Sequence, residues 1–107
     1  MNEETLSLHS SGERLTAILR GEIDHHSVAP VRARIDEEIY RVRPAVLIID
    51  IGAVDFMDSS GLGLIMGRLA KIEELGGSLV VVNPSPRCVK MLKMAGLDRL
   101  ISKKRKE

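Results

Sequence analysis

The chain has 107 residues, enough for one domain and no more. Its 16 Lys and Arg residues balance 15 Asp and Glu residues to a net charge of +1, so it has no overall basic field that would hold nucleic acid. With one Tyr, one Phe and no Trp, it lacks aromatic faces on which bases stack, and no apolar run approaches the ~20 residues of a membrane helix. The polar amino terminus does not resemble a signal peptide. We therefore predict a cytoplasmic domain that binds neither nucleic acid nor a membrane.

Four strands are predicted from the spacing of apolar residues. Residues 5–9 and 14–21 alternate between apolar and polar and are separated by a Gly-containing turn, which is the pattern of a hairpin. Residues 45–50 and 77–82 are continuous apolar runs, typical of strands that are buried on both faces. A fifth strand at residues 97–103 stays open as an alternative.

Three amphipathic helices are predicted between and after these strands. The first begins after the capping residue Ser27, the second spans residues 59–75, and the third begins after Ser85. Alternating buried strands and helices predict an α/β fold: a mixed, mostly parallel sheet of four to five strands flanked by helices. We assign this fold to one domain of residues 1–102 and expect the basic residues 103–107 to be a disordered tail.

The segment at residues 56–63 follows a buried strand and opens the second helix, and open α/β sheets place their sites at the carboxyl ends of strands. Asp58, Ser59 and Ser60 are all residue types that cap helices. The unpaired N–H groups and the positive dipole end at a helix start also favour an added anion, so a phosphate on a serine would be accommodated there. A well-capped helix without further function is the alternative.

The second helix is predicted to bury one apolar face and to expose a flat, partly apolar patch. The buried face would consist of Leu62, Ile65, Met66, Leu69 and Ile72. The exposed face would carry Gly63, Leu64, Gly67, Arg68 and Lys71. Glycines inside a helix cost about 1 kcal/mol each relative to alanine, so two of them beside Leu64 indicate a protein partner whose backbone comes close. In the alternative interpretation, the glycines make room for neighbouring loops of the same chain.

Enzyme motifs are incomplete in this segment. A nucleophile elbow requires a glycine two residues before the serine, and Met57 stands there before Ser59. The phosphate-binding loop of NTPases requires Lys after its last glycine, whereas Gly67 is followed by Arg68. The glycine spacing differs by one residue from the dinucleotide fingerprint, and Asn83 stands where an acidic ribose ligand is expected. We predict no catalytic residue, no cofactor and no enzymatic activity.

A second polar cluster lies at residues 21–26, between the second strand and the first helix, and includes Asp24, His25 and His26. If the second and third strands are parallel neighbours, this loop shares a rim of the sheet with Asp58. Two histidines beside acids suggest a metal site, but adjacent loop residues seldom direct both imidazoles at one ion, so we predict no metal. We favour a loop that hydrogen-bonds the loop of Asp58 or forms part of a docking surface.

Two segments of the chain, GEIDHH at residues 21–26 and FMDSSGLG at residues 56–63, resemble the signature segments of the STAS-domain anti-sigma factor antagonists. The order of strands and helices and the turns at 83–86 and 95–97 are similar to that family as well. The resemblance implies a switch rather than a catalyst, with Ser59 as the phosphorylation site. The unmodified protein would bind an anti-sigma factor, which is a serine kinase, and so free the sigma factor. The kinase would phosphorylate the antagonist and release it, and a phosphatase would reset it.

We expect the partner to contact a surface around Ser59. Asp24 and Asp58 match acidic positions beside the phosphorylated serine of the family. The expected partner-binding residues are Asp24, His25, Asp58, Ser60, Gly61, Gly63, Leu64 and Gly67.

One feature of the chain departs from the family. Family members often carry another helix after the last strand, whereas residues 103–107 read KKRKE, so we expect this helix to be absent or cut short. Its loss would affect stability and oligomeric state more than the switch at Ser59. We expect a monomer.

Two other functions stay open on the sequence alone. STAS domains also serve as interaction scaffolds of stress-signalling complexes that do not switch. A small nucleotide-binding domain belongs to a different class, and titration with nucleotide would distinguish it by heat or by a shift in the melting temperature.

Overall fold

The computed structural model describes residues 5–102. Its strands are β1 (Leu6–Ser11), β2 (Arg14–Ile23), β3 (Val46–Met57) and β4 (Ser78–Val82). Its helices are α1 (Val28–Val42), α2 (Ser59–Glu74) and α3 (Pro86–Met94), followed by a short 3-10 helix at Asp98–Leu100. The predicted tail at residues 103–107 lies outside the described residues, as do residues 1–4. Within 5–102, no helix is long and apolar enough to cross a membrane.

The strands form one sheet in the order β1-β2-β3-β4. β1 pairs antiparallel with β2, whereas β2 with β3 and β3 with β4 are parallel pairs. The crossovers between the parallel strands are made by α1 and α2. The predicted α/β class and the mixed, mostly parallel sheet are therefore confirmed, with four strands.

The alternative of a fifth strand at 97–103 is wrong for the part of that range that the structure describes. Asp98–Leu100 is a 3-10 helix, and Ile101 makes only an isolated bridge with β4. Both Leu97 and Leu100 are buried. Residues three apart lie on the same side of a 3-10 helix, whereas a strand would turn one of the two leucines outward.

The helices cover one face of the sheet. The strand side chains on that face are buried: Leu15, Ala17, Leu19, Leu47, Ile49, Ile51, Leu79 and Val81. The buried side of helix α1 consists of Val28, Val31, Ile35 and Ile39. On the other face, Ile18, Ile48 and Val80 are only partly buried. The prediction that β3 and β4 are buried on both faces is therefore correct for one face only, as far as residues 5–102 are concerned.

The strands β2 and β3 continue as a two-stranded extension past the end of β4. β3 pairs with β4 only as far as Asp50, but it pairs with β2 as far as Met57. Gly21 lies at one of the two register shifts in this extension and has φ +76°, a conformation that favours glycine. Both polar loops singled out in the sequence follow directly after the extension.

Helix α2 is tied to α1 by a buried ion pair. Arg68 is only 4% exposed, and its Nε lies 2.9 Å from Asp36 Oδ1. The contact is an ion pair rather than a well-directed hydrogen bond, and the buried Arg68 Nη1 has no acceptor within the described chain. Desolvation lowers the pKa of Arg68, and the charge of Asp36 acts in the opposite direction. The carboxylate of Asp36 therefore offsets part of the cost of taking the guanidinium out of water.

Replacing Asp36 with Asn is expected to reduce the free energy of unfolding by about 3 kcal/mol, because it leaves a buried cation without its counter-charge. Arg68→Met is the matched control. It is expected to cost less than about 1 kcal/mol, because the remaining Asp36 side chain is 25% exposed and can be hydrated, while Met fills the apolar space. Urea denaturation of both variants measures the difference. A larger loss for Arg68→Met than for Asp36→Asn would contradict this account of the pair.

Candidate functional site

The two polar loops meet at the carboxyl ends of β2 and β3. Ile23 and Met57 are register partners at the ends of these parallel strands. The backbone N–H of the next residue, Asp58, donates to the carbonyl oxygen of Ile23 at 3.3 Å. The predicted common rim of the two loops is confirmed.

The two carboxylate oxygens of Asp58 contact different parts of the structure. Oδ1 accepts a hydrogen bond from the backbone N–H of Ser60 at 2.8 Å, so Asp58 is the predicted N-cap of α2. Oδ2 lies 3.9 Å from Nδ1 of His25 in the other loop. That distance is an electrostatic contact rather than a hydrogen bond, and the His25 side chain is 72% exposed. The predicted contact between the loops is thus present as a solvent-accessible pair.

Ser59 is the first residue of α2 and is exposed to solvent. No side chain or backbone group between residues 5 and 102 forms a hydrogen bond with its hydroxyl. Ser60, by contrast, is partly buried, and its N–H is held by the Asp58 cap. Of the two adjacent serines, Ser59 therefore presents the more accessible hydroxyl, at the positive end of the helix dipole.

The carboxylate of Asp24 forms hydrogen bonds within its own loop. Its Oδ1 accepts hydrogen bonds from the backbone N–H groups of His26 at 3.0 Å and Ser27 at 3.1 Å. Desolvation alone would raise the pKa of Asp24, but the hydrogen bonds from His26 and Ser27 together with the charge of His26 hold the pKa below its ordinary value. The expected position of Asp24 on the rim is found, although the carboxylate organises this turn instead of contacting Asp58.

Ser27 is not the predicted side-chain cap of α1. Its hydroxyl donates to the carbonyl oxygen of Glu22 at 2.8 Å and accepts from the N–H of Asp24 at 3.1 Å, and no side chain caps the helix. The backbone of Ser27 already has helical dihedral angles, φ −102° and ψ −13°, which turn its side chain away from the first N–H groups of the helix. Ser27 therefore closes the turn of residues 24–27.

The predicted outer face of α2 is wrong at two positions. Leu64 is 2% exposed and Arg68 is 4% exposed, whereas Met66, which was expected to be buried, is 50% exposed. The buried stripe consists of Gly61, Leu64, Ile65, Arg68 and Ile72. This stripe could not be recognised in the sequence because it contains the charged residue Arg68. The burial of Arg68 depends on its ion pair with Asp36 of α1. Leu64 therefore belongs to the core and cannot contact a partner.

Gly61 is also buried, so its expected direct contact with a partner is wrong. A Cβ at this position would lie 2.1 Å from Cγ and 2.4 Å from Sδ of Met57, and 3.5 Å from Cγ2 of Ile23. Glycine is required here because the first turn of α2 sits directly on the ends of the two strands. Gly61 thus allows α2 to pack closely on the strand ends, which positions Ser59, and does not itself form part of the surface.

Gly63 and Gly67 lie in open space. Gly63 is exposed and Gly67 partly exposed, and a Cβ at either would meet no atom within 4 Å. The alternative in which these glycines make room for loops of the same chain is therefore wrong for the described residues. The absence of side chains here leaves a flat surface along α2 next to Ser59.

Gly63→Ala and Gly67→Ala are each expected to increase the free energy of unfolding by about 1 kcal/mol, because alanine favours a helix interior and nothing obstructs its methyl group. This corresponds to a rise of about 4–8 °C in the melting temperature for a domain of this size. Gly61→Ala is the matched control in the same helix and is expected to lower the melting temperature, since its methyl group collides with Met57. Thermal unfolding followed by circular dichroism distinguishes the two signs.

Two exposed apolar side chains, one on each side of Ser59 along the chain, were not predicted from the sequence. Met66 continues the exposed stripe of α2, seven residues after Ser59, and Phe56 is 41% exposed near the end of β3. The signal for Met66 was present in the sequence as helical spacing from Ser59 through Gly63. Together with the open glycines, Met66 gives this surface an apolar centre suited to a protein partner.

The described residues contain no group of three or more His, Cys, Asp and Glu side chains placed to hold a metal ion. The rings of His25 and His26 pack against each other, with centroids 4.0 Å apart and planes tilted by 38°. The histidine pair is therefore part of the exposed loop surface next to Asp58.

Known proteins resemble this chain in sequence and in fold. Residues 11–107 match the STAS domain family. The chain is 38% identical over 86 residues to the anti-sigma F factor antagonist of Lysinibacillus sphaericus, covering 78% of this chain and 74% of that protein. It is 39% identical over 83 residues to the anti-sigma F factor antagonist of Paenibacillus polymyxa, covering 78% and 71%.

Solved structures agree with these relatives. The anti-sigma factor antagonist SpoIIAA in its unphosphorylated form superposes with a TM-score of 0.82 at 33% identity, covering 91% of this chain and 85% of that one. The phosphorylated form of the Bacillus cell fate determinant SpoIIAA gives 0.76 at 34% identity, covering 91% and 88%. The chain therefore belongs to the STAS domain family, among its anti-sigma factor antagonists. Within that group it is of the SpoIIAA type, which connects it with sporulation and the regulation of transcription.

Proposed function

We propose that this protein is a phosphorylation switch: the unmodified form binds an anti-sigma factor serine kinase and frees the sigma factor, and phosphate on Ser59 causes release. The observation that carries the proposal is the exposed, unbonded hydroxyl of Ser59 at the start of α2, beside the carboxylate of Asp58. A protein kinase needs such an accessible hydroxyl. The solved SpoIIAA relatives include both an unphosphorylated and a phosphorylated form, which supports a switch of this kind.

The docking surface follows from the need to bring a nucleotide's terminal phosphate to Ser59. We infer that it consists of the two loops and the exposed stripe of α2: Asp24, His25, Asp58, Ser60, Gly63, Met66 and Gly67. Gly61 and Leu64 support this surface from the core. Because Gly63 and Gly67 carry no side chains, the partner's backbone can approach the helix closely, with Met66 as an apolar contact.

The electrostatic effect of phosphorylation acts on the complex more than on the fold. A phosphate adds a charge of about −1.5 to −2 within the docking surface, close to the carboxylate of Asp58. In the free protein, water and the helix N-terminus stabilise this charge, the latter by about 0.3–2 kcal/mol. In the complex the phosphate loses water and faces Asp58, at a cost of several kcal/mol. The fold should therefore survive phosphorylation while the complex dissociates.

The role is that of a regulatory binding protein rather than an enzyme. The nucleotide and the catalytic groups belong to the kinase, and a phosphatase removes the phosphate to reset the cycle. On this proposal the protein needs no cofactor of its own and acts in the cytoplasm, where the sigma factor works.

The test combines transfer of phosphate with mapping of the modified residue. The protein is incubated with candidate anti-sigma factor kinases and ATP, and mass spectrometry identifies the site. We expect one phosphate on Ser59, no modification of Ser59→Ala, and normal modification of Ser60→Ala. Phosphate on Ser60 alone would contradict the assignment of the site, and stable binding of a kinase without any transfer would favour a scaffold that does not switch.

A further inference from the structure

The face of the sheet opposite the helices is apolar and uncovered by any described residue. Its aliphatic side chains are Ile18 of β2, Val46 and Ile48 of β3, and Val80 and Val82 of β4, all partly buried, and Thr16 of β2 lies beside Ile48. A shallow depression of about 260 Å³ on this face is lined by Arg14, Val46, Ile48, Val80, Val82 and Ser102. We call the surface formed by Ile18, Val46, Ile48, Val80 and Val82 the open sheet face. Parallel strands with such continuous apolar runs are normally covered on both sides.

The remainder of the 107 residues offers little to cover this face. The helices pack on the opposite side of the sheet, as the fully buried side chains of β2, β3 and β4 show. The residues outside the described range are MNEE at 1–4 and KKRKE at 103–107, which together supply Met1 as their only apolar side chain. A further apolar surface would therefore complete the burial of this face.

The charges that border the open sheet face are complementary to each other. Arg14 is exposed at the amino end of β2, and no residue in 5–102 forms an ion pair with it. Asp50 of β3 lies at the other end, paired with Ile18, about 13 Å farther along the strands. Its Oδ1 accepts hydrogen bonds from the N–H of Gly52 at 2.9 Å and from Nδ2 of Asn83 at 3.1 Å, which leaves Oδ2 for another donor.

The second arginine on this side of the sheet does not neutralise Asp50. Arg20 directs its Nη1 to Oγ of Ser7 on the edge strand β1 at 2.7 Å, two strands away from β3. The face thus carries Arg14 at one end and, at the other end, the carboxylate of Asp50 on β3, with the charge of Arg20 turned away toward β1. When two copies of such a face stack with their strands antiparallel, Arg14 lies over the far end of β2 in the other copy, one strand spacing of about 4.8 Å from Asp50 of β3, which its long side chain can span.

We propose that the open sheet face binds a second copy of this chain in a symmetric dimer, with Arg14 of each subunit opposite Asp50 of the other. Three strands over about five residues measure roughly 15 by 17 Å, which is smaller than a standard interface of ~800 Å² per partner. The dimer is therefore weak and forms at high protein concentration, and the expectation of a monomer applies to dilute solution. The surface of α2 around Ser59 stays free, because it lies on the helical side.

Sedimentation equilibrium from about 5 μM to about 1 mM tests the dimer. We expect the weight-average mass to rise from that of a monomer toward that of a dimer for the unmodified chain, and Ile48→Lys to weaken association at least tenfold. Met94→Lys, on the 80% exposed residue of α3, is the matched control and should associate normally. A monomer at all concentrations, or association that survives Ile48→Lys, would overturn the proposal.

Charge reversal tests the arrangement of the two copies. Arg14→Glu alone brings a second carboxylate against Asp50, and Asp50→Lys alone brings an ammonium group against Arg14, so each variant should associate at least tenfold more weakly. When the two variants are mixed, one of the two contacts joins the original Arg14 and Asp50, and the other joins the two substituted side chains, again with opposite charges. Association should therefore return in the mixture. Failure of the mixture to associate, with both variants folded by circular dichroism, would refute the antiparallel pairing.

A dilution series on the unmodified protein covers the case in which these variants do not fold. Methyl NMR signals of Ile48, Val80 and Val82 should shift between dilute and concentrated samples. Those of Leu64 and Ile65 in α2 should not shift. Concentration-dependent shifts confined to α2, or none on the open sheet face, would count against the dimer.

Discussion

Replacing Ser59 with Asp is expected to weaken binding of the anti-sigma factor kinase at least tenfold, and phosphorylation of Ser59 should weaken it about a hundredfold. Both place negative charge beside the carboxylate of Asp58, within a surface that loses water on binding. The phosphate has the larger effect because it carries about twice the charge of Asp. Isothermal titration calorimetry of the kinase with each form measures the two ratios.

Two variants separate this effect from other causes. Ser59→Ala should bind like the unmodified protein and should remain bound in the presence of ATP, because it cannot accept phosphate. Ser11→Asp adds the same charge at the exposed last residue of β1, which pairs with Arg14 at the end of β2 that is far from the two loops, and should leave affinity unchanged. Equal affinities of Ser59→Ala and Ser59→Asp would show that charge at position 59 does not control release.

Replacing Leu64 with Glu is expected to reduce the free energy of unfolding by about 4–5 kcal/mol. The change removes a side chain that is 2% exposed and places a carboxyl group in the same apolar space. Since domains of this kind are stable by only about 5–15 kcal/mol, a large part of the stability would be lost. The melting temperature should fall by about 20 °C or more, as measured by scanning calorimetry.

Met66→Glu is the matched control for this prediction, two residues farther along the same helix. Its side chain is 50% exposed, so the melting temperature should change by no more than a few degrees. Binding of the kinase should nevertheless weaken, because Met66 lies in the exposed stripe that begins at Ser59. If Leu64→Glu melted normally and Met66→Glu did not fold, the orientation of α2 described above would be wrong.

The immediate surroundings of Ser59 could be predicted from the sequence because they depend on neighbours in the chain. An Asp before the first turn of a helix caps the N–H two residues later, and Asp58 does so through Ser60. The meeting of this loop with the loop of His25 required one further assumption, that β2 and β3 are parallel neighbours, and the register of Ile23 with Met57 confirms it.

The orientation of α2 could not be predicted in the same way. Counting apolar residues favoured a face with Met66 inside and Leu64 outside. The observed face turns Leu64 and Arg68 inward instead, and the burial of Arg68 depends on Asp36, which is 32 positions earlier in the chain. A charge can enter a core only when an opposite charge meets it there, and that meeting is a property of the packed helices.

By itself, the sequence determined the α/β class, the mostly parallel sheet, the capped start of α2 and the place of Ser59 at that start, because periodicity and capping act over a few residues. Only the tertiary structure decided which face of α2 is buried, that Gly61 is required by Met57 while Gly63 and Gly67 are open, and that one apolar face of the sheet is left uncovered by the described residues. These features depend on which elements pack against each other. That packing is set by residues far apart in the chain, because their side chains must fill the same space and their opposite charges must meet.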